Sequence, residues 1–176
     1  MNLYQDLPLW ADREKGIVNV IIEIPQGSMV KYEFNKKFNT IEVDRFFTAP
    51  MPMPYNYGLL PQSFNEEDGD PLDIIVPSIY AIQAGSILQA KVIGVLHMID
   101  SWESDDKIIG IPLKEPFLGD IEDIQDFPKN LKAQYEFFLS TYKNIDGKKT
   151  SVTGWSDRQK AIEIINKSAE SFIKKQ

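Results

Sequence analysis

The acidic segment NEEDGDPLDIIVP, at residues 65–77, is the part of this sequence best suited to chemistry. Five carboxylates fall within eight residues, and an apolar run follows directly. Like charges this close raise one another's pKa and oppose folding unless a positive charge lies among them. The segment therefore predicts bound cations near its acidic side chains, which are Glu66, Glu67, Asp68, Asp70 and Asp73.

A second acidic stretch, DSWESDDK at residues 100–107, ends a predicted strand. It offers Asp100, Glu103, Asp105 and Asp106, so two acidic loops at strand ends could converge on one mouth of a barrel. Carboxylates with positions left for water and phosphate fit Mg²⁺ better than a closed Ca²⁺ cage. Zinc is disfavoured because the chain has no cysteine and one histidine. A solvated acidic turn is the alternative interpretation.

Basic side chains lie beside acidic ones in two strand-like runs, with Lys31 near Glu33 and Arg45 next to Asp44. Cross-strand ion pairs, each worth about 0 to 1 kcal/mol when exposed, would explain them. A phosphate clamp would explain them too, because arginine presents a planar fork and lysine a point charge. A Ser-His-Asp triad could use only His97, which lies in an apolar run and is predicted to be structural.

Composition limits the possible partners and location. The net charge is −7 and the pI about 4.8, which argues against a nucleic-acid or anionic-membrane partner because these require a basic face. No apolar run approaches the roughly 20 residues of a membrane helix, and the first residues do not resemble a secretory signal. We therefore expect a cytoplasmic protein with one domain spanning residues 1–176.

The elements that must position these side chains are mostly short strands. Alternating or β-branched runs predict strands at 17–25, 29–34, 41–46, 72–77, 86–99 and 107–113, the second and third forming a hairpin. Four prolines predict that segment 48–61 is an ordered loop and not a central strand. Helical spacing predicts a helix over 131–144 and a closing helix that starts at Ser156, whose pattern with Gln159 resembles a capping box. A small antiparallel barrel or sandwich is favoured.

Taken in order, seven segments resemble the family I soluble inorganic pyrophosphatases of bacterial type. They are IEIP, KYE, VDRF, YNYG, DGDPLDI, the spaced Asp100 and DDK, and YK, and they run collinearly from about Glu23 to Trp155. The acidic box D-G-D-P-x-D is the most specific of them. The resemblance implies a mainly β fold with flanking helices, namely a five-stranded OB-like β-barrel plus two α-helices.

The resemblance also implies roles for individual residues. Asp68, Asp73, Asp100 and Asp105 would bind Mg²⁺, and Asp70 would be the catalytic general base and touch the metal site as well. Glu23 and Glu33 would be supporting carboxylates. The substrate-binding positions would be Lys31, Arg45, Tyr57, Lys107, Tyr142 and Lys143. The implied assembly is a homo-oligomer, a hexamer as in bacterial members.

Two departures from the family pattern stand out. Met53 occupies a position where many bacterial members have an aromatic residue, so one phenolic contact near the substrate is expected to be absent. Ser101, Trp102 and Glu103 replace the usual glutamate, small residue and glycine after the first aspartate. Because Asp100, Asp105 and Lys107 keep their spacing, we expect altered metal affinity and retained activity.

The sequence thus predicts a Mg²⁺-dependent enzyme that hydrolyses pyrophosphate to two orthophosphates. A metal-dependent phosphohydrolase of another small phosphate is one alternative, since Tyr55 and Trp102 near the predicted mouth could stack on a base. A non-catalytic OB-like module that binds a cation or a basic partner is the other, because a fold alone does not fix a function.

Overall fold

A computed structural model describes residues 2–67 and 69–175. It contains ten strands, three α-helices and one 3₁₀ helix. In chain order these are α1 (Leu3–Asp6), β1 (Trp10–Asp12), β2 (Ile17–Ile24), β3 (Val30–Asn35), β4 (Thr40–Phe46), β5 (Asn56–Leu59), β6 (Asp73–Val76), β7 (Ile87–Asp100), β8 (Glu103–Ser104), β9 (Lys107–Pro112), the 3₁₀ helix (Ile124–Asp126), α2 (Lys129–Thr141), β10 (Thr150–Asp157) and α3 (Arg158–Lys175).

Five of the strands close into the predicted barrel. The sheet runs in the order β2, β5, β6, β9, β7, and an additional pairing between β2 and β7 completes the ring. Four of the five pairings are antiparallel, whereas β6 and β9 run parallel. The backbones of β2 and β5 approach so closely that a Cβ at Gly58 would collide with the carbonyl oxygen of Ile21, which explains the glycine there.

Hydrophobic packing fixes the two long helices on the barrel. Ala161 and Ile165 of α3 join a buried cluster with barrel side chains such as Val92. Tyr135 and Phe138 of α2 join a second cluster with Ile93 and its neighbours. The helices thus flank the barrel as predicted, and α1 is a short addition near the N-terminus. None of the described helices is long and apolar enough to cross a membrane.

The predicted hairpin is present as a separate two-stranded sheet formed by β3 and β4. Lys31 lies opposite Arg45, and Glu33 lies opposite Glu42. The hairpin packs beside β2. The hairpin matters for the site because its Lys31 and Arg45 line the same cavity as Asp73 at the start of β6 and Asp100 at the end of β7.

Two predictions of local structure are wrong. Segment 48–61 is not all loop, because β5 pairs with both β2 and β6 in the barrel. Its prolines all fall outside the four paired residues, so they do not interrupt the strand. Ser156 does not cap α3 but lies in β10; the side chain of Asp157 accepts a 2.9 Å hydrogen bond from the Lys160 N–H instead.

Candidate active site

A cavity of about 790 Å³ lies where the barrel, the β3–β4 hairpin and the end of α2 meet. Both acidic loops reach it, as the sequence predicted, and the basic residues of the hairpin face them. The predicted site residues that line it are Glu23, Lys31, Glu33, Arg45, Tyr57, Asp70, Asp73, Asp100, Asp105, Lys107, Tyr142 and Lys143. Asp68, the remaining predicted ligand, lies outside the described residues.

Glu23 is the most deeply buried carboxylate of the cavity, with 6% of its surface exposed. Its side chain accepts a 2.7 Å hydrogen bond from the backbone N–H of Phe34, which ties β2 to the hairpin. Burial, and next the negative charge of Asp73, raise the pKa of Glu23 to about 8. A carboxylate in this setting resists ionisation until a cation comes near it.

Lys107 joins two of the predicted metal ligands. Its Nζ lies 2.5 Å from Asp73 Oδ2 and also contacts Asp105 Oδ1. Asp73 and Lys107 are register partners at the starts of the parallel strands β6 and β9, which fixes this arrangement. Burial alone would lower the pKa of Lys107, but the two carboxylates outweigh it and the pKa is raised. The ammonium therefore stays charged in the cavity wall.

A second buried lysine contacts the other acidic loop. Lys143, just after α2, donates a hydrogen bond to Asp100 at the end of β7. Burial would raise the pKa of Asp100, but this hydrogen bond and the charge of Lys143 lower it overall. The ring of Tyr142 stacks on Phe138, and burial raises the pKa of its phenol. Tyr142 is thus both a packing residue and part of the cavity wall.

Asp70 is the most accessible of the predicted cavity carboxylates that the structure describes, since 59% of its side chain is exposed. Its Oδ1 accepts a 2.7 Å hydrogen bond from the Nζ of Lys36. Sequence reasoning missed Lys36, which lies in the turn after β3 where strand periodicity gives no signal. It also missed Lys37 and Lys148 in the cavity wall.

The hairpin supplies the remaining cations. Lys31 Nζ lies 2.9 Å from Asp44 Oδ2 and 3.7 Å from Glu33 Oε1. Arg45 is opposite Lys31 in the register and also approaches Asp44, at 3.9 Å. The ion-pair interpretation of the sequence pattern is therefore confirmed, because both cations approach Asp44. Lys31 and Arg45 also line the cavity, and their role as a phosphate clamp stays a prediction.

Aromatic side chains form the floor of the cavity. Tyr55 and Tyr57 stack with ring centroids 6.2 Å apart, and Lys107 Nζ lies 5.7 Å from the Tyr57 centroid. Burial and the charges of Asp73 and Asp105 raise the pKa of Tyr57, so it is a neutral hydrogen-bond donor. Met53 is buried beside these rings and lines the cavity without a phenolic oxygen.

The unusual loop after Asp100 is a two-residue turn between β7 and β8. Asp100 pairs with Glu103, and Ser101 and Trp102 both have positive φ, at 52° and 79°. This is the hairpin conformation that favours Asn-Gly. Trp102 is 96% exposed, so no packing compensates its strained backbone. Ser101 and Glu103 line the cavity.

The donor set fits a hard divalent cation by its chemistry. The carboxylate oxygens of Asp70, Asp73, Asp100 and Asp105 face one cavity, and buried ammonium groups already lie between several of them. Within residues 2–67 and 69–175, no three acidic or histidine side chains are grouped closely enough to hold a metal. Lys107 pairs with Asp73 and Asp105, and Lys143 pairs with Asp100, so the surroundings of these three carboxylates already favour positive charge.

Comparison with known proteins agrees with this geometry. The family model described as inorganic pyrophosphatase matches residues 20–173. The inorganic pyrophosphatase of Aeropyrum pernix is 39% identical over 164 residues, covering 92% of this chain and 93% of the relative. That of Geobacillus stearothermophilus is 38% identical over 153 residues, covering 87% and 92%. The crystal structure of inorganic pyrophosphatase from Thermus thermophilus superposes with a TM-score of 0.91 at 35% identity, covering 98% of this chain and 99% of that one. The chain therefore belongs to the inorganic pyrophosphatase family.

Proposed function

We propose that this protein hydrolyses inorganic pyrophosphate to two orthophosphates and that Mg²⁺ is the metal it uses. One observation carries the proposal: carboxylates and fixed cations alternate around a single cavity. Pyrophosphate is a compact polyanion. A protein with net charge −7 can bind it only where fixed cations make the local electrostatic potential positive. Membership in the family and the predicted motifs point to the same reaction.

The metal would be held by Asp68, Asp70, Asp73, Asp100 and Asp105, with Glu23 and Glu33 in support. A hard divalent cation supplies charge neutralisation at the phosphate oxygens and lowers the pKa of water. The cost of ionising Glu23 in its buried position supports this assignment, because a nearby cation would remove that cost.

The basic and phenolic side chains would bind the substrate. Lys31 and Arg45 come from the hairpin, Lys107 from the start of β9, and Lys143 from the chain after α2. Their positive charges would hold the substrate with its bridging oxygen in line with the attacking water and would stabilise the charge that develops on the departing phosphate. Tyr57 and Tyr142, with raised pKa values, would donate hydrogen bonds to phosphate oxygens.

Asp70 would accept the proton of the attacking water. The oxygen of water forms a bond to one phosphorus while the bond from that phosphorus to the bridging oxygen breaks, and the second phosphate leaves. The accessible position of Asp70 suits this role, because an attacking water can reach a side chain that is 59% exposed.

Orthophosphate release from pyrophosphate, with Mg²⁺ and then with excess EDTA, tests the proposal. We expect rapid release that requires the metal, with ATP and p-nitrophenyl phosphate cleaved far more slowly. Faster cleavage of ATP would favour the alternative of a phosphohydrolase with another substrate. The complete absence of turnover with Mg²⁺, Mn²⁺ or Zn²⁺ would favour a binding module.

Glu67→Gln is the matched control for variants at the acidic box, because Glu67 is exposed and does not line the cavity.

The remaining parts of the proposal concern the domain, the location and the assembly. We propose one domain over residues 1–176, a cytoplasmic location, and a homohexamer. Light scattering of the purified protein tests the assembly, and a monomer mass would contradict it. A single cooperative unfolding transition by two optical probes is the result expected for one domain.

A further inference from the structure

A second set of reactive side chains lies outside the cavity, around the single histidine. His97 on β7 has its Nδ1 2.9 Å from Asp106 Oδ2 and its Nε2 2.8 Å from Ser156 Oγ. Asp106 immediately precedes β9, and Ser156 lies in β10. A carboxylate, an imidazole and a hydroxyl are thus connected through opposite ring nitrogens. This is the connectivity of the nucleophile, base and orienting acid in serine hydrolases, which are recognised by geometry and not by sequence order.

The two ring nitrogens of His97 have different partners, so one tautomer gives them complementary roles. With the proton on Nδ1, the ring donates to Asp106 Oδ2, and Nε2 accepts the hydrogen bond that Ser156 Oγ donates. A serine hydroxyl bonded to an imidazole that a third group orients is the signature of an activated nucleophile.

The sheet holds these groups rigidly and apart from the pyrophosphate site. β7 pairs with β9 on one side and β10 on the other, and Leu96 is the register partner of both Lys107 and Trp155. Neither His97 nor Asp106 nor Ser156 lines the large cavity. The side chains of His97 and Asp106 are 26% and 21% exposed, and Ser156 is partly exposed, so all three residues reach the surface.

We propose that Ser156 is an activated nucleophile that accepts an acyl group from small esters with good leaving groups. Ser156 Oγ gives its proton to His97 Nε2 and forms a bond to the carbonyl carbon. The carbon–oxygen bond to the leaving group then breaks, and the alcohol leaves with the proton from Nε2. The products are acylated Ser156 and a free alcohol, and no oxidant or further reactant is needed. Asp106 would act through His97 as a positioning residue.

Acetylation by p-nitrophenyl acetate tests the proposal with the full-length protein. Peptide mass mapping should find acetyl on Ser156, and a Ser156→Ala variant should lose that adduct and the associated release of p-nitrophenolate. General-base assistance contributes about 100-fold or more. We therefore expect His97→Gln, whose amide can still hydrogen-bond to both neighbours, to lower the acetylation rate at Ser156 by about that factor. Asp106→Asn should lower it as well, because the amide favours the wrong tautomer.

Ser151→Ala is the matched control, because Ser151 is an exposed serine on the same strand. It should leave the acetylation rate unchanged. Pyrophosphate hydrolysis should also be unchanged in Ser156→Ala, which shows that the variant is folded and separates this proposal from the proposed function. The proposal is overturned if Ser156 is not acetylated, or if it is acetylated equally fast in wild type and His97→Gln. Either result would mean that the three side chains only join strands.

Discussion

Replacing Glu23 with glutamine tests the electrostatics of the cavity directly. Glutamine keeps the size of the side chain and an oxygen that can accept the Phe34 N–H hydrogen bond. It removes the buried ionisable group. In metal-free protein we expect Glu23→Gln to be more stable than wild type at neutral pH. Burial and the charge of Asp73 make wild type take up a proton at Glu23 when it folds, which costs free energy at this pH.

The magnitude follows from the raised pKa. The pKa of Glu23 rises from 4.5 to about 8, so between these values the folded chain holds a proton that the unfolded chain has lost. The free energy of unfolding of wild type therefore falls by about 1.4 kcal/mol per pH unit across this window. The contribution of Glu23 to the free energy of unfolding is fully present below pH 4.5 and is lost as the pH rises to about 8. The stability gain from Glu23→Gln should be small at pH 5 and approach about 4 kcal/mol at pH 7.5.

Urea unfolding in EDTA from pH 5 to pH 8.5, at one protein concentration, measures this slope. Glu42→Gln is the control, because Glu42 is exposed and lines the same cavity, and its charge is not among the causes of the raised pKa of Glu23. It should keep the pH slope of wild type. Mg²⁺ should stabilise wild type more than Glu23→Gln at pH 7.5. If the free energy of unfolding in EDTA depended on pH in the same way for wild type and Glu23→Gln, the reasoning would be refuted.

Other predictions concern the base, the strained turn and the cap of α3. Asp70→Asn should fold normally and lose at least about 100-fold in orthophosphate release, while a near wild-type rate would contradict its role as base. Trp102→Gly should raise the free energy of unfolding by about 1 kcal/mol, because glycine accepts the positive φ and the exposed ring loses no packing; an unchanged or lower denaturation midpoint would count against this. Asp157→Ala should lower stability by about 1 kcal/mol through loss of the hydrogen bond to the Lys160 N–H, measured in the same way.

Much of the fold could be predicted because its strands are local patterns. The β-branched runs of β2, β7 and β9, and the hairpin of β3 and β4, appear where the sequence indicates them. The failures have a common cause. β5 is four residues between prolines, and β10 carries the polar side chains of Thr150, Ser151 and Ser156, so neither has a strong apolar signal. Both are strands because neighbouring strands satisfy their backbone hydrogen bonds.

The sequence by itself predicted cations near the acidic segment and indicated that the two acidic loops could converge on one site, because so many carboxylates in one segment need positive charge nearby. Its ordered motifs also identified the family. Only the tertiary structure decided which charges meet: Lys107 with Asp73 and Asp105, Lys143 with Asp100, and Lys36 with Asp70. Lys107 and Asp105 are two residues apart, but the other partners lie at least 34 positions apart in the chain. Their meeting depends on barrel closure and register, which no local sequence pattern specifies.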